Sequence, residues 1–149
     1  MPNTAPDRME MIITDEAGIR LLRARSAPLV IAFLYSVFRK DSVSEVSYDE
    51  FCIKLEEFLS EHVSEESAIE DDLASDDSSI VFQDISSRVR SYAEDWFSEK
   101  KRYIYRYYNQ NKEEMIRPSP SIIRLFAYID SIMEADMITT ESSFNYILS

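Results

Sequence analysis

Glycine occurs once in this chain of 149 residues, and so do cysteine, histidine and tryptophan. Each scarcity removes a class of chemistry. A phosphate-cradling loop needs several glycines for positive φ and close backbone approach, and Gly18 stands alone. With Cys52 as the sole thiol there is neither an internal disulfide nor a thiolate metal site, and a lone cysteine on an apolar helix is most often core. His62 cannot by itself furnish a nucleophilic triad or the usual zinc ligand sets. Basic charge is also short: 16 Lys+Arg against 28 Asp+Glu gives a net charge of −12, which disfavours non-specific grip on nucleic acid by the domain as a whole. The longest apolar run, residues 27–35 (APLVIAFLY), falls well below the ~20 residues of a membrane span. The first residues, MPNTAPDRMEMIITDE, lack the basic and apolar blocks of a signal peptide, so the chain reads as cytoplasmic.

What remains is a folding sequence. Hydrophobic content of 45% and aromatic content of 12% belong to a globular chain, and 149 residues suffice for one domain with a sizeable core. Residues 1–14 read as a flexible tail. A short helix follows over about 15–25, with Ile19 and Leu22 on one side. Ser26 and Pro28 open a second helix to about Phe38 that is apolar nearly all round and so belongs in the middle of the core. A short extended piece is expected around 43–46. Ser47 and Glu50 then form a capping box, with Val46 and Phe51 as its hydrophobic staple, and the third helix buries Phe51, Leu55, Phe58 and Leu59.

From 65 to 84 the chain carries eight acidic residues and no basic one, and reads as a solvated, mobile loop insertion anchored by Ile69, Leu73 and the segment 80–82. A calcium loop would need a glycine at its bend and alternating ligands, and has neither. Carboxylate pairs in such a run are not held in place, and neighbours such as Glu94 and Asp95 do not face each other on a helix. No active site, metal site or cofactor site is read from this sequence, and no small-molecule substrate is expected.

Asp84 can cap a fourth helix with the stripe Ile85, Val89, Tyr92, Ala93 and Trp96, and Lys100, Lys101 and Arg102 suit its C-terminal dipole. Four of the six residues 103–108 are then tyrosine (Tyr103, Tyr105, Tyr107 and Tyr108). With the polar turn NQNKEE and the returning strand 115–117, this is a β-hairpin over 103–117. Pro118 ends it, and Ser119 and Pro120 start a fifth helix with the stripe Ile122, Leu125, Phe126, Ile129, Ile132 and Met133. A last helical element is expected from about 139, after a domain covering 15–138, and it stops in mid-pattern, as in the N-terminal part of a longer protein.

Helix, extended piece, helix, helix, hairpin, helix is the order of a winged-helix domain: mainly α with a small β-hairpin, flanked by further helices. The tyrosine hairpin is then the wing. Alternation puts Tyr103, Tyr105 and Tyr107 on one face and Ile104, Arg106 and Tyr108 on the other, so one face can pack on the core while the other offers rings to a partner. Trp96, Tyr103, Tyr105, Arg106, Tyr107 and Tyr108 are the candidate protein interface. In a DNA-reading winged helix the fourth helix would enter the major groove, with Arg88, Arg90, Lys100, Lys101 and Arg102 as candidate phosphate contacts, but Glu94 and Asp95 on the same helix make a poor groove reader.

Five segments, in order, carry a resemblance to a known family: LLRARSAPLVIAFLYSVFR (21–39), SYDEFCIKLEEFL (47–59), SYAEDWF (91–97), YIYRYYN (103–109) and MITTESSF (137–144). Together they resemble the start of the JetA family, the kleisin-like subunit of Wadjet anti-plasmid systems, similar to the chromosome-partition kleisin MukF. The resemblance implies an N-terminal winged-helix region of a considerably longer, non-catalytic protein. It also implies self-association as a homodimer, contact with an SMC (condensin-like) ATPase and a kite-type small winged-helix subunit, and DNA engaged mainly through that complex, with no membrane partner. The run 65–84 and the tip NQNKEE depart from the family's pattern, and no contact carries across there. Two other readings stand beside this one: a DNA-binding winged-helix regulator, and a helical domain whose hairpin is merely structural.

Overall fold

A computed structural model describes residues 5–40, 43–71 and 84–148, as a mainly helical fold with one small antiparallel sheet. In chain order the elements are α1 (Pro6–Asp15), α2 (Ala17–Arg23), α3 (Ala27–Tyr35) with a π-helical turn (Ser36–Lys40), β1 (Val46–Ser47), α4 (Tyr48–Glu61), a 3-10 turn (Val63–Glu65), α5 (Glu66–Asp71), α6 (Ile85–Phe97), β2 (Ile104–Tyr108), β3 (Glu114–Pro118) and α7 (Pro120–Leu148).

Local signals set most of these boundaries. The Ser47 side chain accepts the Glu50 N–H (3.1 Å) at the start of α4, and Asp84 accepts the Ser87 N–H (2.8 Å) at the start of α6. Val46 and Phe51, the expected staple, are both buried. Ser119 Oγ accepts the Ile122 N–H (3.3 Å), and Pro120 stands at the first helical position, where it loses no bond.

The core is one cluster. Phe33 of α3, Phe51 of α4 and Trp96 of α6 meet at its centre, with ring centroids 5.4 Å apart for Phe33–Phe51, 6.2 Å for Phe33–Trp96 and 6.3 Å for Phe51–Trp96. Leu21, Val30, Leu34, Leu55, Tyr92, Ile104, Ile116 and Ile122 close around them. The sheet has strand order β1–β3–β2, with Val46 opposite Ile116 and Arg106 opposite Ile116 on the other side.

Gly18 allows α2 to lie directly on the start of α7. Its N–H donates to Ser121 Oγ (2.6 Å), and a Cβ there would meet Ser121 Oγ at 3.2 Å and the Ser121 carbonyl at 3.3 Å. Glu16 closes the same corner, accepting from the Ser121 hydroxyl and pairing with Arg124 (3.3 Å).

Three expectations need correction. The tail 1–14 is helical from Pro6 onward: Pro6 and Asp7 favour the first turn, and Arg20 donates to the Thr14 (3.3 Å) and Asp15 (3.0 Å) carbonyls at the last. This helix buries nothing. No break separates a domain ending at 138 from a segment starting at 139, because α7 runs unbroken to Leu148. The Thr–Thr–Glu–Ser–Ser stretch lowers helix propensity by only tenths of a kcal/mol per residue, and residues 121–149 hold neither proline nor glycine. The acidic stretch begins with a helix: α5 occupies Glu66–Asp71 and buries Ile69, whereas the anchors Leu73 and 80–82 lie outside the described residues.

A Gly18→Val substitution is expected to push α2 off α7 and lower stability by about 2 kcal/mol, read by thermal or denaturant unfolding. A variant as stable as the parent would show that this close approach does not constrain the fold.

Candidate functional site: the hairpin and the outer face of α6

Trp96 fixes the start of the hairpin. Its carbonyl accepts the Tyr103 N–H (3.0 Å) after a tight turn in which Arg102 adopts a left-handed φ of 51°. The Tyr103 carbonyl then accepts the Ser119 N–H (3.0 Å), and at the far end the Asn109 N–H reaches the Glu113 carbonyl (3.0 Å). These two bonds bracket the ladder and set its phase. Tyr103, Tyr105, Tyr107 and Asn109 bond inward to β3, so Ile104, Arg106 and Tyr108 turn their own N–H and C=O groups to the open edge of the sheet. Pro118 fits this register, because it lies opposite Ile104, where no bond to β2 is needed.

The same register divides the side chains. Ile104 and Ile116 are fully buried, so the Ile104–Arg106–Tyr108 face is the one that meets the core. Tyr105 and Tyr107 face outward with Met115 and Arg117. Tyr105 is 39% exposed, and the half-buried Tyr107 lies beneath the Arg117 guanidinium, 5.3 Å from its ring centroid. Beyond Ile104 the core runs out. Arg106 therefore covers the end of α6, 5.0 Å over the Phe97 ring, and Tyr108 overhangs the domain with 69% of its surface exposed.

Charge on this face is paired within the chain. Arg106 Nη1 donates to Glu94 Oε1 (2.8 Å) and Glu114 Oε1 (3.4 Å). Burial works against the Arg106 charge, yet these carboxylates more than offset it and its pKa is raised. Beneath, Phe97 stacks on Tyr48 (6.3 Å, 26°), giving an Arg106–Phe97–Tyr48 pile across three elements. Burial pushes the Tyr48 phenol up to about 12 and raises the Cys52 thiol beside it, so both are neutral at ordinary pH.

Not all of the expected site residues come together here. Tyr105, Arg106, Tyr107 and Tyr108 do. Trp96 and Tyr103 do not: at 1% and 4% exposure they are core, and neither can touch a partner. Their burial follows from position, since Trp96 continues the α6 stripe of Val89, Tyr92 and Ala93, and Tyr103 lies in the bend before the strand begins.

The candidate phosphate contacts are scattered. Arg88 pairs with Glu66 (3.4 Å), and Lys101 pairs with Asp95 in a largely buried bridge. Arg90, Lys100 and Arg102 are exposed. Glu94, Phe97, Glu114 and Arg117 also belong to the site; Glu94 was legible only as an acid on the polar face of α6, and the other three carried no signal of their own. Only the i, i+3 spacing of Glu94 and Phe97 could have placed those two on one face.

Elsewhere, a cleft of about 400 Å³ is lined mainly by apolar residues, among them Phe38, Pro118 and Phe126, and another of about 440 Å³ has a mixed lining that includes Leu29, Phe58, His62 and Glu65. His62 lies tilted against Phe58, at 37° with centroids 4.4 Å apart. Among the described residues no group of acidic, His or Cys side chains could hold a metal ion, and no helix is long and apolar enough to cross a membrane.

The chain belongs to the family described as protein of unknown function (DUF3375), which it matches over residues 12–149. No curated protein and no solved structure matches it.

Tyr48 supplies a test of the pile. Its folded-state pKa, about 12, lies above the ordinary 10.0, so its contribution to stability is complete below pH 10.0 and is lost as pH rises through about 12. Tyr48→Phe is expected to lose less stability than the parent between those limits, as measured by denaturant unfolding across that range. Parallel pH profiles for the two proteins would place Tyr48 in solvent.

Proposed function

We propose that this chain is the N-terminal winged-helix interaction module of a JetA-like kleisin subunit, a non-catalytic part of a bacterial SMC complex that defends against plasmids. Its partners would be a second copy, the SMC ATPase and a kite-type subunit, with DNA engaged through the assembly. Support for the winged-helix reading comes from the order of elements and from strand order β1–β3–β2, in which a short strand before α4 joins the hairpin that follows α6. All five resembling segments fall within the family match over residues 12–149.

The observation that carries a protein-interaction role is the chemistry of the α6–hairpin face. A winged helix that reads DNA presents unpaired cations there, to be neutralised by phosphates. In this chain the central cation, Arg106, already faces Glu94 and Glu114, while Tyr105 and Tyr108 stand exposed beside it. Aromatic rings flanked by Arg are what protein interfaces favour. A DNA-contacting role draws on exposed Lys100, Arg102 and Arg90, a smaller and more dispersed set.

The test is to read the genes neighbouring this protein's own for an SMC-type ATPase and a small winged-helix subunit, and to co-express them with it. The full-length protein is expected to co-purify with them. The double substitution Tyr105→Ala/Tyr108→Ala should weaken at least one of its associations more than tenfold without lowering the melting temperature, because both rings are outside the core. Failure of the parent protein to co-purify, together with salt-dependent duplex binding lost on Lys100→Ala/Arg102→Ala, would instead establish the DNA-binding role.

A further inference from the structure

Arg20 joins two parts of the molecule that are far apart in sequence. On one side its Nη1 donates to the carbonyls of Thr14 (3.3 Å) and Asp15 (3.0 Å), the last two residues of α1. On the other its Nη2 donates to the Lys101 carbonyl (2.8 Å), in the turn between α6 and β2. The guanidinium is oriented to suit these three acceptors at the expense of its Nε. Among the described residues, that Nε is the one buried side-chain nitrogen or oxygen without a hydrogen-bond partner.

The two ends of this bridge are held very differently. α1 buries no residue and leaves Met9, Met11, Ile12 and Ile13 exposed, so it is the kind of element that opens well before the core does. The turn, by contrast, must keep a demanding shape. The peptide between Lys101 and Arg102 is bonded at both of its polar groups, its carbonyl by Arg20 and its N–H by the Ser98 carbonyl (2.8 Å). Immediately after it, Arg102 takes the left-handed φ of 51°, which a residue with a side chain keeps only where its surroundings impose it. The Tyr103 N–H then meets the Trp96 carbonyl, and the hairpin begins.

We propose that α1 is a detachable strap, and that Arg20 couples its docking to the base of the hairpin. With α1 in place, two carbonyls at the negative end of its dipole hold the guanidinium against the turn. With α1 detached, Arg20 loses two of these three acceptors, and a long side chain that has regained its rotamer freedom no longer fixes the Lys101 carbonyl. The Lys101–Arg102 peptide is then free to rotate, Arg102 leaves the left-handed region, and the first residues of β2 loosen. Linkage makes the effect reciprocal. A partner that steadies the hairpin strengthens the seating of α1, and one that draws α1 away by its exposed apolar side chains loosens the hairpin. The coupling belongs to this chain alone and does not depend on the partners proposed above.

Native-state amide exchange, followed by NMR on this chain, tests it. Met11→Pro places a helix breaker in the middle of α1 at an exposed position, and Arg20→Met removes the guanidinium while keeping an apolar stem. Each is expected to speed exchange at the Arg102 and Tyr103 amides by about fivefold or more, relative to the amides of Leu55 and Phe58 within α4. The double variant should exchange no faster at these two amides than Arg20→Met alone, because the route from α1 has already been cut. Two outcomes overturn the strap. In one, Met11→Pro melts α1, seen as lost helical circular dichroism, without changing exchange at Arg102 and Tyr103. In the other, the two substitutions multiply there, as independent changes do. Should Arg20→Met also unprotect Leu55 and Phe58, Met11→Pro decides by itself, since Met11 lies outside the core. Faster exchange in both α1 and the turn then supports the coupling, and faster exchange in α1 alone overturns it.

Discussion

The contact between Trp96 and the two phenylalanines Phe33 and Phe51 does more than fill space. It joins α3, α4 and α6 at one point, and the main chain of the same tryptophan receives the Tyr103 N–H that starts the hairpin. Burying these three aromatic side chains contributes several kcal/mol by area alone. Its larger consequence is geometric. Once Tyr103 is tied to Trp96 and Ser119, the phase of β2 is set, Ile104 must point into the core, and Tyr105 must point out. A strand slipped by one residue would exchange its two faces, presenting Ile104 to water and turning Tyr105 and Tyr107 toward the core. The exposed surface of the hairpin is therefore a by-product of how the core is closed.

A second set of contacts governs where α7 goes. Gly18 lets α2 touch the first turn of this helix, and further along Asp130 accepts from Tyr35 (2.5 Å) and from Arg39 (2.6 and 2.5 Å). These hydrogen bonds, that from Tyr35 foremost, hold the Asp130 carboxyl below the usual carboxylate range. Arg39 belongs to the π-helical turn, an irregularity that carries the chain on past the end of α3. Fixed at both points, α7 continues past Asp130 with Ile132 and Met133 exposed. The sheet and the helix thus leave the same small core as two separate projections, each anchored by a few polar contacts at its base.

Much of this was legible in the residues themselves, and the reason is locality. Ser47 and Asp84 cap helices because a side-chain oxygen three residues before an orphan N–H needs no tertiary help. The hairpin was equally plain from its alternating aromatics and polar turn. What the residues did not reveal depended on distant partners. The end of α1 is met by Arg20 of the next element, which donates to the Thr14 and Asp15 carbonyls, and the unbroken course of α7 through Thr–Thr–Glu–Ser–Ser overrides a plausible start signal. Trp96 read equally well as stripe residue or surface anchor, and only the positions of Phe33 and Phe51 decide between them. Which tyrosine face points outward was open for the same reason: alternation assigns residues to faces but does not say which face meets the core.

The charge on the hairpin face follows from the composition of the whole chain. In a protein with 28 acidic and 16 basic residues, a cation on the surface is seldom far from a carboxylate. Arg106, Lys101, Arg88 and Arg124 each have one within 4 Å. The more exposed of these pairs, those of Arg106 and Arg124, add little stability, and their main effect is on recognition. An arginine already engaged by two glutamates offers phosphate little net attraction, but its planar guanidinium still lies over Phe97 and beside exposed tyrosines. A partner that meets it must bring apolar and hydrogen-bonding surface, because bare negative charge would have to compete with groups that are already in place. This pairing is what the proposed preference for polypeptide over nucleic acid at the hairpin rests on.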